Sequence, residues 1–332
     1  MTLPELERHI AVVVIGRNEG LRLRVCLASA LAAGGSIKVV YVDSGSIDDS
    51  VAMARSLGCE VVELDMDIPF TAARARNEGF TRAMLVFPEL EFIQFVDGDC
   101  EIAEGWINKA IQFLQMNPPV AAACGRRRER YPEKSIYNQL CDIEWNTPIG
   151  EARYFGGDVM IRTCAFQTVG GYRAQLIAGE EPELSIRLRA KGWAIWRLDS
   201  EMTLHDAAIQ RVGQWWNRSK RAGYAFAAGA ALHGAHPTKH WVRESRSAWI
   251  WGLAVPVLAG ISMVVYGPWG LLPALVYPIQ VLRLTLRYRK NLARPFWYSF
   301  FLVLSKFPEV IGQLKFLIDR IFNKNTLLIE YK

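Results

Sequence analysis

Residues 92–99 read Phe92-Ile93-Gln94-Phe95-Val96-Asp97-Gly98-Asp99, an apolar run that ends in two carboxylates one residue apart. The run predicts a buried strand whose carboxyl end delivers Asp97 and Asp99 into a cleft. Carboxylate oxygens suit Mg²⁺ or Mn²⁺, and such an ion bridges nucleotide phosphates and neutralises a leaving diphosphate. An acidic pair alone is more often a solvated loop, so the segments around it decide its meaning.

Three earlier segments also combine an apolar, β-branched run with polar residues after it, at 11–15, 37–42 and 60–64. Segments rich in Ala, Leu and Arg follow these runs and predict helices, at 20–33, 48–57 and 71–86. Strands that alternate with helices predict a parallel α/β sheet. Ligands bind such sheets beyond the carboxyl ends of the strands, where Asn18, Asp43 and Asp97 fall.

Several motifs follow one another along this predicted sheet. They are V-V-V-I-G-R-N-E-G (12–20), V-D-S-G-S-I-D-D-S (42–50), A-R-N-E-G (75–79), F-V-D-G-D (95–99), F-G-G-D (155–158) and G-E-E-P-E-L (179–184). In order and approximate spacing they resemble the family 2 glycosyltransferases of the GT-A fold, over about residues 9–230. The resemblance implies a Rossmann-like, mostly parallel sheet with helices on both faces.

The resemblance also implies a donor site for a nucleotide-diphosphate sugar. In the family, the residue matching Asp43 accepts hydrogen bonds from the base or ribose, and Asn18 and Glu19 line the same pocket. A turn-capping role with Ser44 and Gly45 is the structural alternative for Asp43. The remaining residues that the resemblance assigns to the donor are Arg76, Asp97, Gly156 and Gly157.

The implied cofactor is Mg²⁺ or Mn²⁺, with Asp99 as the direct ligand. Asp97 is expected to contact the ribose, a metal-bound water or the ion itself. His205 follows an apolar segment at 193–198, where some GT-A enzymes place a further ligand. A lone histidine is as often structural, so both readings of His205 stay open.

Glu181 is the expected general base. It precedes Pro182, and proline is favoured at the first helical position, where the helix dipole favours an ionised carboxylate. By resemblance it deprotonates the acceptor while the acceptor attacks the anomeric carbon with inversion, and Glu180 is the second candidate. The family usually has Asp here, so the side chain is one methylene longer. A capping and salt-bridge role with Arg187 or Arg189 is the alternative.

Processive relatives carry Gln-x-x-Arg-Trp where this chain has Gln214-Trp215-Trp216-Asn217-Arg218. No tryptophan follows Arg218, which weakens any inference of processive polymerisation. Trp215, Trp216 and Arg218 are the acceptor candidates, because indole rings stack on sugars, and anchoring of an interfacial helix is the alternative.

The chain has a net charge of +6 and a pI of about 9.0, and its basic residues form clusters. Most clusters flank apolar segments, which favours anionic lipid over nucleic acid as the partner. The cluster at 126–128 predicts either a solvated loop or a contact with diphosphate or acceptor.

Residues 247–282 contain no Asp, Glu, Lys or Arg, which predicts a membrane segment. Gly267-Pro268 lies near its middle, and basic residues flank both ends. The positive-inside rule therefore predicts a hairpin with both ends in the cytoplasm, with a re-entrant loop as the alternative. Residues 295–322 predict amphipathic helices on the membrane surface, or a soluble helical subdomain.

Together these features predict two domains, a GT-A catalytic domain at 1–240 and a membrane part at 241–332. The expected activity is metal-dependent, inverting transfer to a lipid-linked or growing-glycan acceptor in bacterial exopolysaccharide or envelope assembly. The expected location is the inner membrane with the catalytic domain in the cytoplasm, and no nucleic acid is expected. The alternatives are a polyprenyl-phosphate sugar transferase and a non-catalytic scaffold that binds sugar nucleotides.

Overall fold

The computed structural model describes residues 9–34 and 37–322, which divide into two compact units. The first unit contains the residues up to 176 and 180–208, and the second contains 177–179 and the residues from 209 onward. The predicted boundary at residue 240 falls inside the second unit, and the division into catalytic and membrane domains stays a prediction. The outer ends of those two predicted domains, 1–8 and 323–332, lie outside the described residues.

The described part of the first unit is built on one sheet of nine strands. In chain order they are β1 (Ile10–Gly16), β2 (Lys38–Asp43), β3 (Glu60–Glu63), β4 (Phe92–Asp97), β5 (Cys100–Ile102), β6 (Val120–Glu129), β7 (Gly150–Glu151), β8 (Val159–Arg162) and β9 (Ala194–His205). Their spatial order is β3-β2-β1-β4-β8-β6-β9-β5, and β7 pairs with β9.

Helices connect these strands. They are α1 (Leu21–Ala32), α2 (Ser50–Ser56), α3 (Ala72–Val86), α4 (Trp106–Met116), α5 (Ile136–Glu144), α6 (Thr163–Thr168) and α7 (Glu180–Ala190). The helices predicted at 20–33, 48–57 and 71–86 are confirmed as α1, α2 and α3. Residues Ile10–Val14 of β1 are fully buried, as expected for a strand covered on both faces.

The sheet is parallel where the alternation of strands and helices predicted it, at β3-β2-β1-β4. Gly16 lies beside Asp43 and Ile15 lies beside Asp97, so the loops after β1, β2 and β4 leave from one edge. Beyond β4 the sheet is mixed, because β8 runs antiparallel to both β4 and β6. The α/β prediction is confirmed, and beyond β4 parallel pairing recurs between β6 and β9.

The second unit is helical within its described residues. Its helices are α8 (Val212–His233), α9 (Val242–Trp249), α10 (Val255–Tyr266), α11 (Val276–Tyr288), α12 (Pro295–Leu304) and α13 (Lys306–Ile321). Helices α8 and α13 touch backbone to backbone at two glycines. A β-carbon on Gly223 would lie 2.0 Å from the Glu309 carbonyl oxygen, and one on Gly312 would lie 1.9 Å from the Lys220 carbonyl oxygen.

The segment Val242–Tyr288 is helical and, by length and composition, apolar enough to cross a membrane. A π-helical turn (Ile250–Ala254) joins α9 to α10, and a 3₁₀ segment (Gly267–Leu275) joins α10 to α11. The predicted turn is present at Gly267, whose φ of 61° is readily adopted only by glycine.

Helix α13 has two different sides, which explains its amphipathic sequence. Val310 and Gln313 are buried, whereas Ile311, Leu314 and Ile318 are exposed. The helix therefore packs within the second unit and also presents an apolar stripe. Helix α13 thus has features of both predictions for 295–322, because one side is exposed and apolar like an interfacial helix and the other is packed like a helix of a subdomain.

Candidate active site

The loops after β1 and β2 are tied together by Asn18. Its φ of 56° lies in the left-handed region, which asparagine tolerates better than most residues. Its side-chain oxygen accepts from the Ile47 amide at 2.8 Å, and its own amide donates to the Ser46 hydroxyl at 2.9 Å. The neighbouring Glu19 pairs with Arg22 at 2.7 Å. Both predicted donor residues therefore lie in the strand-end loops.

Asp43 is 3% exposed and accepts hydrogen bonds from its own strand and turn. Oδ1 accepts from the Tyr41 hydroxyl at 2.8 Å and the Ser46 hydroxyl at 2.5 Å. Oδ2 accepts from the amides of Gly45 at 2.9 Å and Ser46 at 2.8 Å. These contacts match the turn-capping alternative. A nucleotide hydroxyl that donated to Asp43 would be a third donor to an oxygen that already accepts two hydrogen bonds.

Asp97, at the end of β4, lies between two arginines. Its Oδ1 is 2.8 Å from Arg76 Nη2, and its Oδ2 is 3.1 Å from Arg127 Nη2. Burial opposes ionisation of this carboxyl, but the two guanidinium groups outweigh it and hold the pKa of Asp97 well below its usual range. The fully buried Asp158 accepts from the Asp97 amide and lies 3.5 Å from Arg127 Nη1.

Arg76 connects this strand end to helix α7. It is 2% exposed, and its Nη1 lies 3.0 Å from Glu180 Oε1 and 3.3 Å from Glu181 Oε1. One guanidinium group therefore joins three carboxylates. Glu180 and Glu181 are adjacent on α7 and lie 83 and 84 residues after Asp97 in the chain. Since a buried charge is costly unless it is paired, this cation and these anions stabilise one another.

Arg76→Met is expected to lower the free energy of unfolding by about 3–5 kcal/mol, because it leaves buried carboxylates without their cation. Arg82→Met is the matched control on the same helix. Arg82 pairs with Glu60 near the surface, where losing a pair costs about 1 kcal/mol or less. Thermal unfolding of both purified variants measures the difference. Equal losses would contradict a central structural role for Arg76.

The loop before β8 passes close over these guanidinium groups. A β-carbon on Gly157 would lie 2.7 Å from Asp97 Oδ2, 2.9 Å from Arg76 Nη2 and 3.0 Å from Arg127 Nη1. Only glycine fits there without displacing the charged cluster. Gly156 has no such neighbour and is exposed beside it. Of the two predicted glycines, Gly157 is the one that contacts the site.

Helix α7 begins at Glu180, so the predicted start at Pro182 is wrong by two residues. Proline fits here because the first amides of a helix have no partner within it. Glu181 still lies in the first turn. The predicted alternative pairing with Arg187 is also wrong, because Arg187 pairs with Glu183 at 2.7 Å, one helical turn before it.

The two candidate bases differ in their access to solvent. The Glu181 side chain is 16% exposed and that of Glu180 is 4% exposed. Burial, with the neighbouring Glu180 carboxylate, raises the pKa of Glu181 to about 7, although Arg76 opposes the shift. A carboxyl that titrates near neutral pH suits proton transfer at that pH.

Asp99, just before β5, and His205, at the end of β9, form a second cluster. His205 Nε2 lies 3.2 Å from Asp99 Oδ2, and its Nδ1 lies 3.6 Å from the buried Glu129 carboxylate. The Trp145 ring stands edge-on to the imidazole, with centroids 4.6 Å apart. A carboxylate behind an imidazole is a common arrangement around metal ligands, since it orients the opposite nitrogen.

The donor atoms of this cluster fit a divalent ion. Burial, with nearby Arg127, lowers the pKa of His205, which keeps the imidazole neutral and able to coordinate. Cys100 also lies within reach, but burial raises the pKa of its thiol, and thiols suit softer metals. One carboxylate and one imidazole leave positions for water and phosphate oxygens, as at Mg²⁺ and Mn²⁺ sites.

The arginine cluster at 126–128 belongs to β6, so the prediction of a solvated loop is wrong. Arg126 pairs with Asp142 at 2.7 Å, and Arg128 pairs with the exposed Glu201 at 2.5 Å. Arg127 points to Asp97 and also lies over the Trp145 ring, 5.0 Å from its centroid. Because successive side chains of a strand point to opposite faces of the sheet, neighbouring arginines in β6 have different surroundings.

The predicted acceptor residues lie on α8, in the second unit. Trp215 is buried and packs edge-on against Phe301, with ring centroids 5.0 Å apart. Trp216 and Arg218 are half-buried. Trp215 thus has a packing role within its unit, and acceptor binding by these residues stays a prediction.

The described residues bring the strand-end carboxylates of the α/β sheet and the start of the helix that carries Glu181 to one guanidinium group. Residues 11–174 match the model of glycosyl transferase family 2. The chain belongs to this family and is a glycosyltransferase, with the GT-A fold that the resemblance implied. No curated protein matches the chain in sequence.

A solved structure agrees on the fold. The mannosyltransferase PcManGT from Pyrobaculum calidifontis, in complex with GDP-Man and Mn²⁺, is 16% identical, with a TM-score of 0.61. The match covers 92% of this chain and 87% of that one. A second structure, S. aureus TarS, is 13% identical over 87% of this chain and 54% of that chain, with a TM-score of 0.47.

Proposed function

We propose that the protein transfers a sugar from a nucleotide-diphosphate donor to a lipid-linked or growing-glycan acceptor, in bacterial polysaccharide or envelope assembly. The observation that carries the proposal is the contact of one buried guanidinium group, Arg76, with both Asp97 and Glu181. Asp97 is a donor residue in the proposal, and Glu181 is the base. Their shared partner supports a single site for both steps.

In this proposal Asp99 and His205 hold a divalent ion, Mg²⁺ or Mn²⁺, and Asp97 acts on the ribose or a metal-bound water. The contents of the PcManGT structure, GDP-Man and Mn²⁺, support this class of donor and ion. When bound, the ion neutralises negative charge on the leaving diphosphate. Asn18, Glu19, Asp43 and the Gly156-Gly157 loop surround the donor.

Glu181 takes the proton from the acceptor hydroxyl as that oxygen attacks the anomeric carbon. The bond between the anomeric carbon and the diphosphate oxygen breaks, the electron pair leaves with the diphosphate, and the anomeric configuration inverts. The raised pKa of Glu181 and its partly exposed side chain support this role. Glu180, which is deeper, holds Arg76 in place.

The proposed location is the inner membrane, with the catalytic domain on the cytoplasmic side. Exposed apolar side chains on the Val242–Tyr288 segment, α12 and α13 support contact with lipid. A lipid-linked acceptor would then be concentrated at the enzyme by a shared bilayer. Polyprenyl phosphate itself is the second candidate acceptor, favoured by the same apolar surface.

A donor screen with the purified full chain and Mn²⁺ tests the activity through the nucleoside diphosphate released. We expect one sugar nucleotide to be consumed and EDTA to stop the reaction. Adding a polyprenyl phosphate or a lipid-linked glycan is expected to raise the rate, and the better of the two identifies the acceptor class. Binding of sugar nucleotides without turnover of any of them would instead support the scaffold alternative.

A further inference from the structure

The Val242–Tyr288 segment is folded back on itself as two closely packed arms. The first arm runs up to Gly267 and the second runs from it. A β-carbon on Gly270 would lie 2.1 Å from the carbonyl carbon and oxygen of Ser262, so the two backbones are in direct contact. The apolar segment is therefore a helical hairpin whose tip contains Pro268 and Trp269.

The hairpin is fixed at its base within the second unit. The rings of Trp251 and Tyr277 lie 6.1 Å apart on opposite arms, and the Tyr277 hydroxyl donates to the Trp251 carbonyl. A β-carbon on Gly252 would lie 2.1 Å from the Lys306 carbonyl oxygen, at the start of α13. The residues between Gly252 and Tyr277 lie beyond these contacts.

The extending part exposes large apolar side chains on both arms. Val264 is 87% exposed and Trp269 is 76% exposed, and Leu258 and Leu272 are more than half exposed. Contiguous apolar surface of this kind marks a partner or a membrane. Its length decides how far it can enter a bilayer.

The arm from Leu253 to Tyr266 has 14 residues, or about 21 Å at about 1.5 Å per residue. The returning 3₁₀ segment Gly267–Leu275 has 9 residues, or about 18 Å at about 2.0 Å per residue. The hydrocarbon core of a bilayer is about 30 Å thick. The free hairpin therefore reaches about the middle of the bilayer and does not cross it.

Charge in the segments that precede and follow the hairpin selects the type of lipid. Residues 283–294 contain five exposed basic side chains and no Asp or Glu, namely Arg283, Arg287, Arg289, Lys290 and Arg294. Arg243 and Arg246, before the first arm, are exposed as well. Basic residues beside a membrane segment bind anionic headgroups, and Trp251 and Tyr277 suit the headgroup level.

We propose that residues 253–276 form a re-entrant hairpin that enters one leaflet of an anionic bilayer and ends near its midplane at Trp269. The described part of the chain is then bound to one face of the membrane and does not cross it. This inference rests on the proposed membrane association, and it replaces two spans with a single insertion of defined depth.

A probe at the tip measures this depth in the full chain. Trp269→Cys is made together with Cys164→Ser, since Cys164 is the exposed native cysteine among the described residues. The new thiol carries an environment-sensitive fluorophore, and the protein is added to vesicles of phosphatidylethanolamine and phosphatidylglycerol. We expect a nitroxide near the acyl-chain end to remove most of the fluorescence and one at the headgroup to remove little. Asn291→Cys, beside the basic residues, is the control and is expected to show the opposite order.

A membrane-impermeant maleimide trapped inside the vesicles distinguishes insertion from crossing. We expect it to leave the unlabelled thiol at 269 unmodified. Modification from inside would overturn the re-entrant hairpin while leaving membrane association intact. Absence of vesicle binding would overturn the membrane association and the inference together. A soluble dimer that buries the hairpin is one form of this outcome.

The charge component has its own measurement in the same vesicles. Arg283→Gln and Arg287→Gln are each expected to weaken binding about fivefold, the effect of losing one basic residue at an anionic surface. Arg55→Gln, at an exposed pair with Glu63 in the first unit, is expected to change it little. Equal effects of all three variants, or equal binding to pure phosphatidylcholine, would overturn the role of anionic lipid.

Discussion

Asp99→Asn is expected to lower kcat/KM by about 10²–10³-fold or more, the scale of removing one preorganised electrostatic group at a reacting phosphate or oxyanion. Asn has nearly the same size as Asp but lacks the charge that would attract a divalent ion beside His205. Initial rates across a Mn²⁺ titration measure the loss, and electron paramagnetic resonance of free Mn²⁺ measures binding directly. Both are expected to fall together.

Asp199→Asn is the matched control, because Asp199 is exposed on β9, the strand that ends at His205. It is expected to bind Mn²⁺ and to turn over like the parent protein. Thermal unfolding of both variants tests that the fold is intact. Full activity of Asp99→Asn, or undiminished activity of the parent in excess EDTA, would disprove the assignment of the metal site.

The edge of the sheet that carries Asp43 and Asp97 was predictable because it follows from local pattern alone. Continuous β-branched runs predict buried parallel strands, and parallel strands bring their carboxyl ends to the same edge. The observed pairing of Gly16 with Asp43 and of Ile15 with Asp97 is the geometry that this rule predicts. No long-range information was needed for this part of the site.

Glu129 and Trp145 were missed because their roles depend on contacts that are distant in sequence. Glu129 meets His205 only when β6 pairs with β9, and Trp145 lies beside His205 only after α5 has folded back. In the sequence, nothing distinguishes Glu129, at the end of a basic run, from an exposed carboxylate. The pairing of Arg127 with Asp97 was hidden in the same way, since nothing in the run of three arginines marks its middle member.

The hairpin shows the same division between local and long-range information. Composition and flanking charge predicted an apolar segment that turns at Gly267. The depth it can reach depends instead on where the base is held, which the contact of Gly252 with Lys306 determines. These residues are 54 positions apart, so the sequence pattern alone does not distinguish two spans from one insertion.

Glu181→Gln is expected to reduce kcat by about 10²-fold or more while donor binding stays nearly unchanged, since the amide cannot accept the acceptor's proton. The pH profile gives a second readout. The pKa of Glu181 is raised to about 7, and a base works only when deprotonated, so kcat/KM of the parent should rise as pH increases through about 7. The variant should lack this limb of the profile. Steady-state rates from acid to alkaline pH, with donor affinity measured by calorimetry, test both expectations.

Glu180→Gln separates the two neighbouring carboxylates. Because the Glu180 charge helps to raise the pKa of Glu181, its removal is expected to move the acid limb to lower pH and leave the reaction running. Glu181→Asp, the residue usual in the family, is expected to keep measurable activity because it retains a carboxylate. If Glu180→Gln is the inactive variant and Glu181→Gln the active one, the base is Glu180. A single displacement also requires inversion, so NMR assignment of a retained anomeric configuration in the product would contradict this chemistry for either residue.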